Sequence, residues 1–141
     1  MSRYVRKSML IILILIITVN LSACYAHKKQ EYYSNTDNYV TVTGTLSYIS
    51  YDEDEPGIYL SFTELSPEFS DNCFKIVGDN LLIAQENGLD EKLEIGKSIE
   101  FVSAPRYFGD GYIMPIVSIS IDGETLLEFE DGYENWLGWI D

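Results

Sequence analysis

The sequence predicts a mainly β domain, a small barrel of about five strands with one short helix between strands three and four. Three observations carry that prediction. Runs rich in β-branched and aromatic residues alternate with polar ones at 39–51, 58–63, 98–103 and 113–121. Clusters of Gly, Pro, Asn and Asp separate these runs at turn-sized intervals. The apolar period turns helical within the domain only once, over 79–86.

Strand one spans Tyr39 to Tyr51, with Val40, Val42, Leu46 and Tyr48 on one parity and therefore facing inward. Gly44 interrupts it where a glycine marks a bulge or a sharp coil. Asp52-Glu53-Asp54-Glu55-Pro56-Gly57 is an acidic hairpin turn, and strand two follows with Ile58, Leu60 and Phe62 inward. A loop containing Pro67 leads to a third short strand at 73–77. Asp79 is a good N-cap for the helix, and Asn87-Gly88 ends it with glycine in left-handed geometry. Strand four runs 98–103. The aromatic loop 104–112 leads to strand five, where Pro115 argues for an edge position. Residues 126–129 suit a further short strand or turn, and the aromatic tail 132–140 packs on the domain.

Three strands, a helix, then two strands, with a central glycine in a long first strand, resembles the OB-fold, a small Greek-key barrel. Leu93-Glu94-Ile95-Gly96-Lys97-Ser98-Ile99 is similar to the approach to that fold's fourth strand. The resemblance covers roughly residues 39–122; the alternatives are another small β barrel or an open α+β roll. It implies a binding face on strands two and three, here Tyr59, Ser61, Thr63 and Lys75. The loops 52–57 and 106–112 would flank that face.

The amino terminus carries an address. Arg3, Arg6 and Lys7 precede an apolar run from Met9 to Val19 that stops at Asn20, short of the about 20 residues of a membrane-spanning helix. Such a segment is a cleaved signal peptide or a short uncleaved anchor. Leu21-Ser22-Ala23-Cys24 resembles the lipobox of bacterial lipoproteins in all four positions. The resemblance implies a signal peptide over 1–23, cleavage before Cys24 and palmitate-type acylation of Cys24. The protein would then be extracytoplasmic and lipid-anchored to the bacterial cell membrane. Residues 24–38 read as the lipidated cysteine and a flexible polar tether, and 39–141 as the OB-like domain with its aromatic tail.

Charge limits the partners. The signal holds three of nine basic residues and none of 23 acidic ones, so removing it takes the net charge from −14 to −17. That balance opposes nucleic acid, whose phosphates need cations, and direct docking on anionic lipid. The only histidine, His27, lies in the tether, so the domain cannot build a Ser/His/Asp or Cys/His arrangement. Cys73 is the one cysteine besides Cys24, and its place before an apolar strand reads as an inert buried thiol. The expected protein is not an enzyme and needs no cofactor.

The contact candidates are Tyr59, Arg106, Tyr107, Phe108, Asp110 and Tyr112. The glycines of the 106–112 loop allow an exposed turn, and its aromatics give large contact area at low entropic cost. The same loop would equally serve as a lid folded back on the barrel end. Asp52 and Asp54 are weak candidates for calcium, but the spaced Asp-x-Asp-x-Asp-Gly pattern is missing and the turn reads as a solvated tip. Glu128, Glu130, Asp131 and Glu134 read the same way. The expected role is a non-catalytic binding domain for a protein, peptide or glycan partner. The alternatives are a structural envelope lipoprotein and a low-affinity Ca2+-responsive module.

Overall fold

A computed structural model of the chain describes residues 3–69, 71–105 and 114–141. The chain divides into two units, Met1–Tyr32 and Tyr33–Asp141. The first unit belongs to one helix, α1 (Arg3–Ser34), whose apolar residues from Met9 to Val19 are exposed. By length and composition α1 can cross a membrane. The polar tether expected after Cys24 is helical as far as Ser34, and Tyr33 is fully buried. Alanine, lysine, glutamine and glutamate at 26–31 are good helix formers, so helical propensity outweighs the missing apolar period.

The second unit has six strands: β1 (Val40–Tyr51), β2 (Gly57–Ser66), β3 (Phe74–Val77), β4 (Ser98–Ser103), β5 (Met114–Ile121) and β6 (Glu124–Leu127). Helices α2 (Gly78–Glu86) and α3 (Leu89–Lys92) lie between β3 and β4, and α4 (Phe129–Ile140) closes the chain. The sheet runs β3-β2-β1-β4-β5-β6 with antiparallel neighbours, and a short parallel pairing of Phe74 with Met114 and Lys75 with Pro115 joins β3 to β5. The mainly β expectation is therefore corrected to a mixed α/β architecture. The difference lies at the two ends of the chain, where α1 and α4 form.

Side chains from the inward face of the curled sheet build its core. Ile58, Leu60 and Phe62 of β2 are buried as their alternation requires, together with Phe74, Ile76, Ile99 and Phe101. Phe62 stacks on Phe101 at 4.7 Å, and Phe74 meets both rings edge-on. Gly44 faces this group. A Cβ there would lie 2.9 Å from Phe62 Cβ, so only hydrogen fits. Register irregularities flank Gly44 on β2 and recur beyond Leu46. In the second, Leu46 to Tyr48 spans two steps of β1 against one step, Phe62 to Ser61, of β2. Ser47 is the extra residue, and it inverts the parity of the rest of β1.

The helix boundaries follow their caps. Gly88 ends α2 in left-handed geometry, φ +96°, as the Asn87-Gly88 pair predicts. At the other end, Asp79 does not cap: the N-cap position is Val77 with no side-chain bond, and Asp79 sits in the first turn. There its carboxylate still opposes the helix dipole favourably. Pro115 is not on the sheet edge, which β6 occupies; it lies at the start of β5, ahead of the first β4 pairing at Ile116.

Helix α4 repeats Phe129, Tyr133 and Trp136 on one face. Phe129 and Tyr133 stack at 5.6 Å, Tyr39 meets both edge-on, and Tyr33 meets Trp136 at 5.1 Å. The Tyr133 hydroxyl donates to Ser34 O at 2.6 Å. On the same helix Gly132 rests on β5 so closely that a Cβ would sit 1.8 Å from the Val117 carbonyl oxygen.

Gly132→Ala should therefore destabilise the unit by about 3 kcal/mol, the upper part of the overpacking range, because the obstacle is backbone. Gly138→Ala on the same helix meets nothing within 4 Å and should leave stability unchanged or raise it by up to about 1 kcal/mol through helix propensity. Thermal unfolding of the full chain in detergent, followed by tryptophan fluorescence, checks the pair. Equal effects would show that the contact with Val117 does not hold α4.

Candidate functional site

The outer face of β1, β2 and β3 is built by the alternation that fills the core on the other side. Lys75 lies between the inward Phe74 and Ile76, directly across from Tyr59, which in turn lies across from Ser50. Beside them Tyr48 pairs with Ser61. The face thus carries Tyr48, Ser50, Tyr59, Ser61 and Lys75 in adjoining rows.

Lys75 is 5 % exposed and fully engaged. Its Nζ donates to Asp52 Oδ2 at 2.8 Å and to the Tyr59 hydroxyl at 2.9 Å, and it lies 4.4 Å from the Tyr59 ring centre. Gly57 makes room for the lysine stem, because a Cβ would fall 2.5 Å from Lys75 Cε. Asp52 in turn accepts the Asp54 N–H on its other oxygen at 3.0 Å. Glu55 stands 3.9 Å from the ammonium. The acidic hairpin is thereby folded onto a lysine, and the Asp52 oxygen that a cation would take is occupied by Lys75. Among the described residues no group of three or more His, Cys, Asp or Glu side chains could hold a metal ion.

The hydrogen bond from Lys75 holds the Asp52 carboxyl below the ordinary 3.8, helped by the backbone N–H groups of Asp54 and Glu55. Burial by itself lowers the Lys75 pKa, but the bonds to Asp52 and Tyr59 outweigh it and leave the ammonium above the ordinary 10.5. Burial also pushes up the half-buried Cys73 thiol, which favours its protonated form.

Asn72 finishes the face where β3 runs out. Its side chain accepts the Phe62 N–H at 2.8 Å and donates to the Phe62 carbonyl, and the Ser61 hydroxyl donates to Asn72 O at 2.7 Å. The amide replaces a strand neighbour for β2.

The structure brings Tyr59 and Asp52 together through Lys75. Arg106, Tyr107, Phe108, Asp110 and Tyr112 lie outside the described residues. Thr63 is exposed, with its hydroxyl donating to Thr45 O at 3.4 Å. The residue that sequence reasoning misplaced is Tyr48. Strict alternation puts it inside, whereas it is 54 % exposed on the outer face because Ser47 inverts the strand. Polar Ser47 and Ser50 around Tyr48 were the available signal. Comparison with protein-family models, with curated proteins and with solved structures finds no match to this chain.

The pH dependence follows from these shifts. Asp52 has a depressed folded-state value, so its contribution is present above pH 3.8 and lost as pH falls through the folded value. Lys75 has a raised one, so its contribution is present below pH 10.5 and lost as pH rises through the folded value. Asp52→Asn should lower the melting temperature at neutral pH, with the difference from wild type closing in strong acid. A Glu55→Gln control should change little. A difference that stays constant from neutral to acid would assign the loss to packing.

Proposed function

We propose that this protein is a lipid-anchored extracytoplasmic lipoprotein that presents an OB-like domain for non-catalytic binding of a protein, peptide or glycan partner. The anchor reading rests on Leu21-Ser22-Ala23-Cys24 behind the apolar run, with Cys24 exposed on α1. The domain reading is supported by the pairings β1–β2, β2–β3, β3–β5, β5–β4 and β4–β1, which make a ring in the order of an OB barrel. Gly96 adds to it, with φ +92° and its N–H donating to Leu46 O ahead of β4.

The observation that carries the binding reading is Tyr48. A half-exposed aromatic side chain stands among Ser50, Tyr59 and Ser61 on the face that OB-like barrels use, over a platform fixed by Lys75 and Asp52. Because Lys75 is already paired, this platform offers rings and hydroxyls rather than a free cation. Such a surface suits neutral glycans and peptides by stacking and hydrogen bonding, and is a poor match to phosphates.

Two measurements test the proposal. Metabolic labelling with palmitate should mark the wild-type protein and leave Cys24→Ser unlabelled; labelling of Cys24→Ser would remove the lipobox assignment. On arrays of neutral glycans and peptides, Tyr48→Ala should weaken binding by about tenfold, the loss of one stacked ring, without changing the melting temperature. Binding that survives Tyr48→Ala would move the site off this face.

A further inference from the structure

A cleft of about 370 Å³ lies between the start of α2 and the second half of α4, lined by Gly78, Asp79, Glu134, Asn135, Gly138 and Trp139. It is separate from the outer sheet face and its chemistry is different. Trp139 is 41 % exposed. One edge of its indole lies against Gly78, where a Cβ would fall 2.7 Å from Cε3, so glycine lets the ring lie over the helix start.

Apart from the indole N–H, the polar side-chain groups around the cleft are acceptors. Asp79 and Glu134 have no ion-pair partner among the described residues, and neither α2 nor α4 contains a lysine or arginine. The orientation of Asn135 is set from the interior. Buried Asn80 donates its Nδ2 to Gly132 O at 2.8 Å, so its Oδ1 must accept, and Asn135 Nδ2 donates to it at 3.0 Å. That chain of bonds leaves Asn135 Oδ1 as the acceptor on offer. Two unpaired carboxylates, an amide oxygen and an open indole surround one cavity.

We propose that this cleft binds a guanidinium group, stacked on Trp139 and donating to Asp79, Glu134 and Asn135 Oδ1. Guanidinium is planar, carries five N–H donors in a fixed fork, stacks on aromatic faces and is more weakly hydrated than ammonium. Its flat face suits the indole and its fork of donors suits several acceptors, a combination that a compact ammonium lacks. The negative field of the chain raises the local concentration of such cations. The group can arrive on a free small molecule or on an arginine side chain of a peptide.

The test uses the ¹⁵N-labelled full chain in uncharged detergent micelles, read at the Trp139 indole resonance assigned with Trp139→Phe. Arginine amide and the peptide acetyl-Gly-Arg-Gly-amide are titrated separately, with citrulline amide as the neutral isostere. A saturable shift is expected with the guanidinium probes and not with citrulline amide. Asp79→Asn and Glu134→Gln should each weaken binding about fivefold. Glu134→Gln should leave the melting temperature unaltered, whereas Asp79→Asn also loses its favourable place in the first turn of α2 and should lower it slightly. Saturation by both probes means that a free small cation suffices; saturation by the peptide alone assigns a peptide-borne arginine. Absence of saturation with both probes, an equal response to citrulline amide, or unchanged affinity in the double carboxylate variant overturns the proposal. Tyr48→Ala should leave this titration unaffected, so the two sites stand or fall separately.

Discussion

The approach of β1 to β2 at Gly44 is the constraint on which the sheet depends. β1 pairs from Val40 to Thr45 with β4 and from Thr43 to Tyr51 with β2, so it must bend between two partners while Phe62 fills the space beneath it. A side chain at 44 would meet Phe62 and Leu65. Without the close approach Phe62 would lose its stacking on Phe101, and Phe74 would lose both of its edge-on neighbours. The inversion at Ser47 follows from the same bend. It sends Ile49 toward the core and Tyr48 out to the face that Lys75 occupies on β3. One glycine and one inserted serine thus link the aromatic core to the composition of the outer surface.

Helix α4 makes a second closure, and it explains why an aromatic tail ends the chain. Gly132 brings the helix onto the Val117 carbonyl, and Asn80 from α2 satisfies the Gly132 carbonyl. The rings of Phe129, Tyr133 and Trp136 then cover Tyr39 and Tyr33, whose backbone and hydroxyl groups bond within the same cluster. Aromatic pairs of this geometry contribute about 0.5–1.5 kcal/mol each beyond area burial. The segment leading into β1 is held by the last helix of the chain, and the beginning and end of the unit are packed as one layer.

Much of the fold was legible because two periods dominate the sequence. The period of two in β2 placed Ile58, Leu60 and Phe62 in the core, and Asn87-Gly88 marked a helix end that needs positive φ. What was illegible came from tertiary packing. The inversion at Ser47 arises from strand coiling, and its local sign is limited to the polar Ser47 and Ser50 around Tyr48. The tail was read as packed, but its helix went unread because glycines at 132 and 138 lower helix propensity. Contact with Val117 overrides that penalty at Gly132. Of the site, Tyr59 and the acidic turn were visible, while the partnership of Asp52 with Lys75 was not, because it joins residues 23 positions apart.

Lys75 also shows how the charge imbalance is managed. A lysine on a central strand position is costly to desolvate unless its ammonium is paired and hydrogen-bonded. Here Tyr59 covers the stem and Asp52 completes the pair, so the outer side of β3 is closed without an exposed apolar patch. The other two lysines described in this unit are committed in the same manner, Lys92 to Glu124 and Lys97 to Asp122, and they tie the approach to β4 onto the β5–β6 turn. These three described lysines fasten three corners of the sheet. Most of the carboxylates remain on the surface with no described cation beside them. Such a surface repels anionic lipid and attracts cationic groups.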